Sequence, residues 1–177
     1  MRLLYLLLIA LSNVLTAKIN PFVIAGGLLV IPVGSLFAGA VFVLRDLVQI
    51  KHGRANTYKL ILWATILSVA LSHALGDTAH IAAASMVAFF ISEAVDTELF
   101  SRMRASLVKR ILVSGAIGGC LDSTIFVVFG LSPLATGVLP WNLVPFAILG
   151  QTLVKLLVQL VAAGWLILRK GGRGMCE

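Results

Sequence analysis

Acidic side chains recur inside apolar stretches of this sequence, where a charge needs a chemical reason. Glu93 and Asp96 are three residues apart, which places both carboxylates on one face of a helix. Two acids that share a site resist joint ionisation, so this pair suits a proton relay or the binding of a cation. The structural alternative is an ion pair between Asp96 and either Arg45 or Arg102.

A second polar set lies in the last two apolar stretches. Asp122 falls near the middle of one of them. The next carries Gln151, Lys155 and Gln159 at four-residue spacing, a stripe along one helix face. Because a charge at the bilayer centre costs about 2.5 kcal/mol or more, we predict an ion pair between Asp122 and Lys155. That pair would serve either a functional site or a purely structural contact.

Three further charges fall near the ends of predicted helices. Lys18 lies at the outer end of the first apolar stretch and could reach the outer lipid headgroups. Arg45 and Asp46 end the second stretch at the inner boundary, where an interfacial ion pair is the alternative. We predict a structural or gating role for these three residues. Asn13, inside the first stretch, is a further polar candidate.

Membrane-spanning helices must position these side chains. Hydrophobic residues make up 60% of the sequence and charged residues 12%, and the mean hydropathy is +1.06. A soluble domain of this size cannot bury so much apolar surface. A helix needs roughly 20 apolar residues to cross a bilayer. We predict one all-α transmembrane domain over residues 1–177, with six helices at about 2–18, 22–46, 58–75, 79–100, 107–131 and 141–168.

The basic residues predict the orientation of these helices. Of the 14 Lys and Arg residues, all but Lys18 and Lys155 fall on one side of a six-helix arrangement. They lie at the termini and around the connections after the second and fourth helices. Because positive segments stay in the cytoplasm, both termini are predicted to be inside. Topology thus accounts for the net charge of +7, and no nucleic-acid partner is expected.

Small residues predict close helix packing. Gly115 and Gly119 in the fifth helix, and Ala84 and Ala88 in the fourth, have the spacing that lets helix backbones approach. Packing within one chain is the preferred interpretation, and a homo-oligomer is the alternative.

Common catalytic motifs are missing from the sequence. It contains no GxxxxGK[ST] phosphate loop, no HExxH pair and no GxSxG elbow. Cys120 and Cys176 lack metal-ligand spacing. We therefore expect a protein that is not an enzyme, with no catalytic residue, cofactor or metal site.

Five of the six predicted helices carry polar groups that lipid cannot satisfy, which indicates a hydrated central cavity. The candidate substrate-binding residues are Asn13, Phe89, Glu93, Asp96, Asp122, Gln151 and Lys155. Aromatic walls could come from Phe89, Phe90, Phe126 and Trp141, although such residues more often serve as packing or interfacial anchors.

Several segments, in order along nearly the whole chain, resemble a known family. They are Leu11–Lys18, Pro32–Gly34, Phe42–Asp46, Ser92–Thr97 and Asp122. The Arg-Asp and Ser-Glu-x-x-Asp-Thr elements are the most specific. In these elements the sequence resembles the vitamin-uptake-like transporters, which include the queuosine precursor transporters. The resemblance implies a compact bundle similar to the six-helix substrate-binding subunits of energy-coupling-factor vitamin transporters.

The resemblance also implies a substrate, 7-cyano-7-deazaguanine or 7-aminomethyl-7-deazaguanine, imported across the inner membrane of a bacterium. The N–H edge of such a deazapurine would donate to a carboxylate, Glu93 or Asp96. Its carbonyl would accept from Asn13, Gln151 or Lys155, and its flat ring would stack on Phe89 or Phe126.

Two other functions stay open from the sequence. One is a vitamin-binding subunit that works with an ATPase coupling complex, and the other is a non-transporting membrane adaptor. For a transporter, proton coupling through Glu93, Asp96 or Asp122 is a further hypothesis.

Overall fold

Six helices and one short hairpin make up the described part of the chain. The computed structural model describes residues 1–19, 22–24 and 29–171. The helices are α1 (Arg2–Lys18), α2 (Gly34–His52), α3 (Arg54–Ala74), α4 (Ala79–Arg102), α5 (Leu107–Phe126) and α6 (Val144–Gly171). Strand β1 (Phe22–Ile24) pairs antiparallel with β2 (Leu29–Ile31). Arg173 and Cys176 lie outside the described residues.

Helix α2 begins later than the sequence pattern predicts. It starts at Gly34 rather than near residue 22, and the preceding residues form the hairpin, with Phe22 opposite Ile31. Pro32 disfavours a helical backbone at the residue before it, and the β-branched residues of the two strands favour an extended backbone. Hydrophobicity alone could not separate these extended residues from the helix that follows.

Helix α2 also ends later than predicted. It continues beyond Asp46 to His52, so Arg45 lies seven residues, roughly 10 Å, from the helix end. Gly53 alone connects α2 to α3, and its φ of 79° is a conformation that glycine adopts without a side-chain clash. The prediction that Arg45 and Asp46 end the helix is therefore wrong.

The helices alternate in direction. Tyr5, near the start of α1, packs against Val48, near the end of α2. Farther along α1, the Ser12 hydroxyl donates to the carbonyl of Gly34 at the start of α2, over 3.1 Å. The start of α1 and the α2–α3 and α4–α5 connections lie at one end of the bundle, which we call the basic end. The hairpin and the α3–α4 and α5–α6 connections lie at the opposite end, which we call the hairpin end.

The outer surface of the bundle is strongly apolar. Val161 is 74% exposed, Leu3 69% and Trp63 66%, whereas the buried residues include many polar side chains. Within the described residues, three helical segments are long and apolar enough to cross a membrane: Ala79–Arg102, Leu107–Leu131 and Val144–Trp165. The second of these joins α5 to a π-helical turn, Val127–Leu131. An apolar exterior around a polar interior is the arrangement expected in lipid.

Glycines bring α2 and α5 close to α6. A Cβ placed on Gly39 would lie 2.6 Å from the carbonyl oxygen of Lys155 and 2.8 Å from the Cβ of Val158. A Cβ on Gly115 would meet the side chain of Gln159 at 2.8 Å. Gly115 thus packs within the chain, as the sequence predicts.

Replacing Gly39 by alanine should destabilise the bundle by about 1–3 kcal/mol, because α2 and α6 must then move apart. Thermal unfolding of the purified protein in detergent measures the loss. Gly164→Ala is the matched control, since a Cβ at Gly164 in α6 meets nothing within 4 Å. Equal unfolding temperatures for the two variants would contradict the close approach.

Candidate functional site

A polar cavity lies between α1, α2, α3, α4 and α5. It encloses about 110 Å³, and its wall includes Asn13, Phe42, Phe89, Glu93 and Asp122. A second cavity of about 160 Å³ reaches α6 and extends to the hairpin end. The two cavities have five lining residues in common: Ser12, Asn13, Ala38, Ser85 and Asp122. Because they share these walls, we treat them as one cavity, named the central cavity.

Most of the candidate substrate residues line the central cavity. They are Asn13, Phe89, Glu93, Asp122, Gln151 and Lys155. Asp96 is absent from this wall and is fully buried beside Arg45. Of the other proposed aromatic walls, Phe126 lines the cavity, but Phe90 and Trp141 are 43% and 53% exposed on the outer surface. A wall role for those two is therefore wrong.

The predicted ion pair between Asp122 and Lys155 is present. The ammonium Nζ of Lys155 donates to Oδ2 of Asp122 over 2.6 Å and to Oγ of Ser123 over 2.7 Å. The Lys155 side chain is 2% exposed and that of Asp122 is 21% exposed. Both residues line the central cavity, and Asp122 is the more exposed of the two.

Arg45 stands at the centre of a second buried cluster. Its Nε lies 3.2 Å from Oε2 of Glu93, and its Nη2 lies 3.2 Å from Oδ1 of Asp46 and also pairs with Oδ2 of Asp96. Its Nη1 donates to Oγ1 of Thr97 over 2.9 Å. We call Arg45, Asp46, Glu93 and Asp96 the arginine cluster. The predicted alternative, an Arg45–Asp96 pair, is confirmed.

The arginine cluster closes the central cavity toward the basic end. Glu93 is its only member on the cavity wall among the described residues. Behind it, the amide of Gln49 donates to the carbonyl of Thr97 over 3.2 Å and to the hydroxyl of Ser101 over 2.7 Å. These contacts join α2 to α4 on the side of the cluster toward the basic end.

Several site residues had no predicted role. Tyr5 is fully buried beside Glu93, and Phe42 lines the cavity next to Phe89. Gln49 follows Arg45 by four residues, a spacing that places both on one helix face and could have indicated its role. No comparable signal marks Tyr5, which lies in a leucine-rich stretch.

Asn13 and Lys18, two further residues predicted from the sequence, lie outside both charged clusters. The amide of Asn13 donates to Oγ of Ser68 over 2.9 Å, which ties α1 to α3 at the cavity wall. Lys18 is exposed at the end of α1 and lines neither part of the cavity. Its position fits the predicted contact with lipid headgroups.

An apolar helical bundle around a polar interior is the arrangement of a membrane protein. The chain belongs to the family described as "Putative vitamin uptake transporter", whose model matches residues 69–169. The match includes Glu93, Asp96, Asp122 and Lys155. Neither the comparison with curated proteins nor that with solved structures found a match.

Proposed function

We propose that this protein imports a queuosine precursor, 7-cyano-7-deazaguanine or 7-aminomethyl-7-deazaguanine, across the inner membrane of a bacterium. The observation that carries the proposal is a cavity whose wall combines a buried carboxylate, amides and aromatic rings. These groups complement a flat base that carries N–H donors and a carbonyl. The family description, "Putative vitamin uptake transporter", supports a small-molecule substrate.

The polar groups of the cavity suit one edge of a deazaguanine. Oε1 of Glu93 is buried without a hydrogen bond in the described part of the chain, so it is an acceptor for a substrate N–H. The amide nitrogen of Asn13 carries two hydrogens and donates one of them to Ser68. The second hydrogen is available to the carbonyl of the substrate. Phe42 and Phe89 offer apolar contacts to the ring.

The size and charge of the cavity also favour such a base. Each part of the cavity is smaller than the roughly 300 Å³ at which sites for drug-sized ligands begin, so a single bicyclic base is the appropriate class. If the substrate carries an aminomethyl ammonium, Asp122 is the partially exposed carboxylate available to pair with it.

The proposed topology has six membrane spans with both termini in the cytoplasm. The basic end then faces the cytoplasm, as the positive-inside rule requires. The hairpin end, toward which the cavity extends, faces outward. In this arrangement the arginine cluster separates the substrate cavity from the cytoplasm.

Replacing Glu93 by alanine should reduce uptake about 10- to 100-fold, because leaving buried hydrogen-bonding groups of the substrate unpaired costs about 1–3 kcal/mol. The assay supplies nanomolar 7-cyano or 7-aminomethyl base to cells that cannot synthesise it and measures queuosine in tRNA. Glu98→Ala is the matched control, since Glu98 lies on the same helix but pairs with Arg54 and Arg102 away from the cavity.

Failure to restore queuosine by a well-expressed, membrane-inserted wild-type protein would overturn the substrate. The family description then favours the second candidate, a vitamin-binding subunit that needs an ATPase coupling complex. That candidate requires co-purification with the coupling complex and binding of a vitamin. A non-transporting adaptor would bind neither class of ligand.

A further inference from the structure

The charges of the arginine cluster do not balance. Three carboxylates, those of Asp46, Glu93 and Asp96, surround the single guanidinium of Arg45, and all four side chains are at most 1% exposed. Fully ionised, the cluster would bury two uncompensated negative charges. Uncompensated buried charge is so costly that the group neutralises instead.

The neighbouring elements do not supply the missing positive charge. Tyr5 of α1 faces Glu93 with a neutral phenol, and α3 contributes hydroxyl groups such as that of Ser68 to the cavity wall. On α5, Asp122 adds another negative charge near Glu93, and Lys155 of α6 is already paired with it. Arg110 of α5 is close enough for its charge to act on Asp46, but among the described residues no ion pair joins it to the cluster, and its guanidinium donates to the carbonyl of Phe100 over 2.6 Å.

A second observation points to a bound proton. The hydroxyl of Tyr5 is completely buried and makes no well-formed hydrogen bond in the described part of the chain, although it faces Glu93. Oε1 of Glu93 is likewise buried without a hydrogen-bond partner among the described residues, whereas Oε2 lies 3.2 Å from Nε of Arg45. A protonated Glu93 can donate its O–H to the Tyr5 oxygen or to a group in the cavity, so these two unpaired atoms leave room for a bound proton.

Access to the cavity favours Glu93 as the acid that exchanges a proton with the outside. Asp46 and Asp96 contact the guanidinium and are absent from the cavity wall, whereas Glu93 both contacts Arg45 and lines the cavity. Water in the cavity can therefore deliver a proton to Glu93 before it reaches the other two acids.

We propose that Glu93 binds the coupling proton of this transporter, so that one proton enters the cytoplasm with each substrate molecule. The transport part of this proposal rests on the proposed function. A protonated carboxyl presents one donor and one acceptor, which match the adjacent carbonyl and N–H of the base. Proton and substrate thus bind together at Glu93.

The cycle balances in protons, since one is taken up from outside and one is released inside. With Glu93 protonated, the arginine cluster carries one net negative charge instead of two, because Asp46 and Asp96 remain against Arg45. A proton from outside binds a carboxylate oxygen of Glu93, which weakens its attraction to Arg45 Nε while Asp46 and Asp96 stay paired with the guanidinium. Once α2 and α4 separate at the basic end, Glu93 releases the proton to cytoplasmic water. The ionised carboxylate then returns to Arg45.

The presence of the proton is measurable without any substrate. Infrared spectra of the purified protein at pH 7 should contain the C=O band of a protonated carboxyl, which shifts in D₂O and is absent in Glu93→Gln. Asp122→Asn is the control and should keep the band. No such band in the wild type would overturn the proposal, and so would a band that persists in Glu93→Gln but disappears in Asp46→Asn or Asp96→Asn.

Coupling is measured in proteoliposomes loaded at neutral pH and supplied with radiolabelled 7-cyano-7-deazaguanine. Acid outside should drive accumulation at least tenfold above equilibrium, and a protonophore should abolish it. Glu93→Gln, whose amide keeps one donor and one acceptor, should only equilibrate the base. Accumulation driven by a sodium gradient, or unaffected by protonophore, would overturn proton coupling. No uptake at all by the wild type would instead overturn the proposed function and leave the infrared result standing.

Discussion

Arg45→Ala should lower the free energy of unfolding by about 3–5 kcal/mol, the cost typical of breaking a buried ion pair by removing one partner. The substitution leaves three carboxylates without their cation in a site at most 1% exposed. It also removes the Nη1 donor to Thr97, which joins α2 to α4. The measurement is thermal unfolding in detergent, where the midpoint should fall by roughly 6–20 °C.

Arg102→Ala is the control for this experiment. Arg102 also pairs with a glutamate, Glu98, but its side chain is 78% exposed, so its replacement should change the midpoint little. Adding Glu93→Gln and Asp96→Asn to Arg45→Ala should recover part of the lost stability, because fewer buried acids are then left without a cation. Equal midpoints for Arg45→Ala and Arg102→Ala would show that the arginine cluster does not stabilise the fold.

Lys155→Met should cost about 3 kcal/mol of stability and also abolish uptake. The side chain is 2% exposed, and its Nζ donates to both Asp122 and Ser123. Methionine keeps most of the side-chain volume but leaves Asp122 without its cation. Uptake should fail because Asp122 lines both parts of the central cavity and depends on Lys155 for its position.

The double variant Lys155→Met/Asp122→Asn separates stability from transport. Removal of both charges should restore most of the unfolding temperature, since no charge is left unpaired. Uptake should stay low, because the cavity has lost its ion pair. A double variant that transports like the wild type would contradict a functional role and leave the pair purely structural.

Much of the helical architecture was predictable because hydrophobic runs and charge placement are local properties. Helices α1 and α4 begin where the pattern predicts, and the long run from residue 107 to 131 contains α5 and its π-helical turn. The start of α2 was not predictable from hydrophobicity, since the strand residues 22–24 and 29–31 are as apolar as the residues of a membrane helix. Pro32 was the available local signal.

Part of the candidate site could be predicted from the sequence, and part could not. Asp122 and Lys155 could be paired in advance, because each is a charge in an apolar run and the two runs are adjacent in the sequence. Asn13 and Glu93 share a cavity wall across eighty residues of chain, which no spacing rule relates. Tyr5 lies in a leucine-rich stretch without a polar pattern, and only its contact with Glu93 in the structure indicated a role.

The sequence by itself determined that this protein is a helical bundle in lipid with charged groups in its interior, because the cost of exposing apolar surface or burying a lone charge depends on residue type. Only the tertiary structure decided which charges meet. It placed Arg45 against three acids from two helices, left Glu93 alone among them on the cavity wall, and put Phe90 and Trp141 outside. The physical reason is that an ion pair depends on a few ångströms between side chains, and those distances are set by how whole helices rotate and pack.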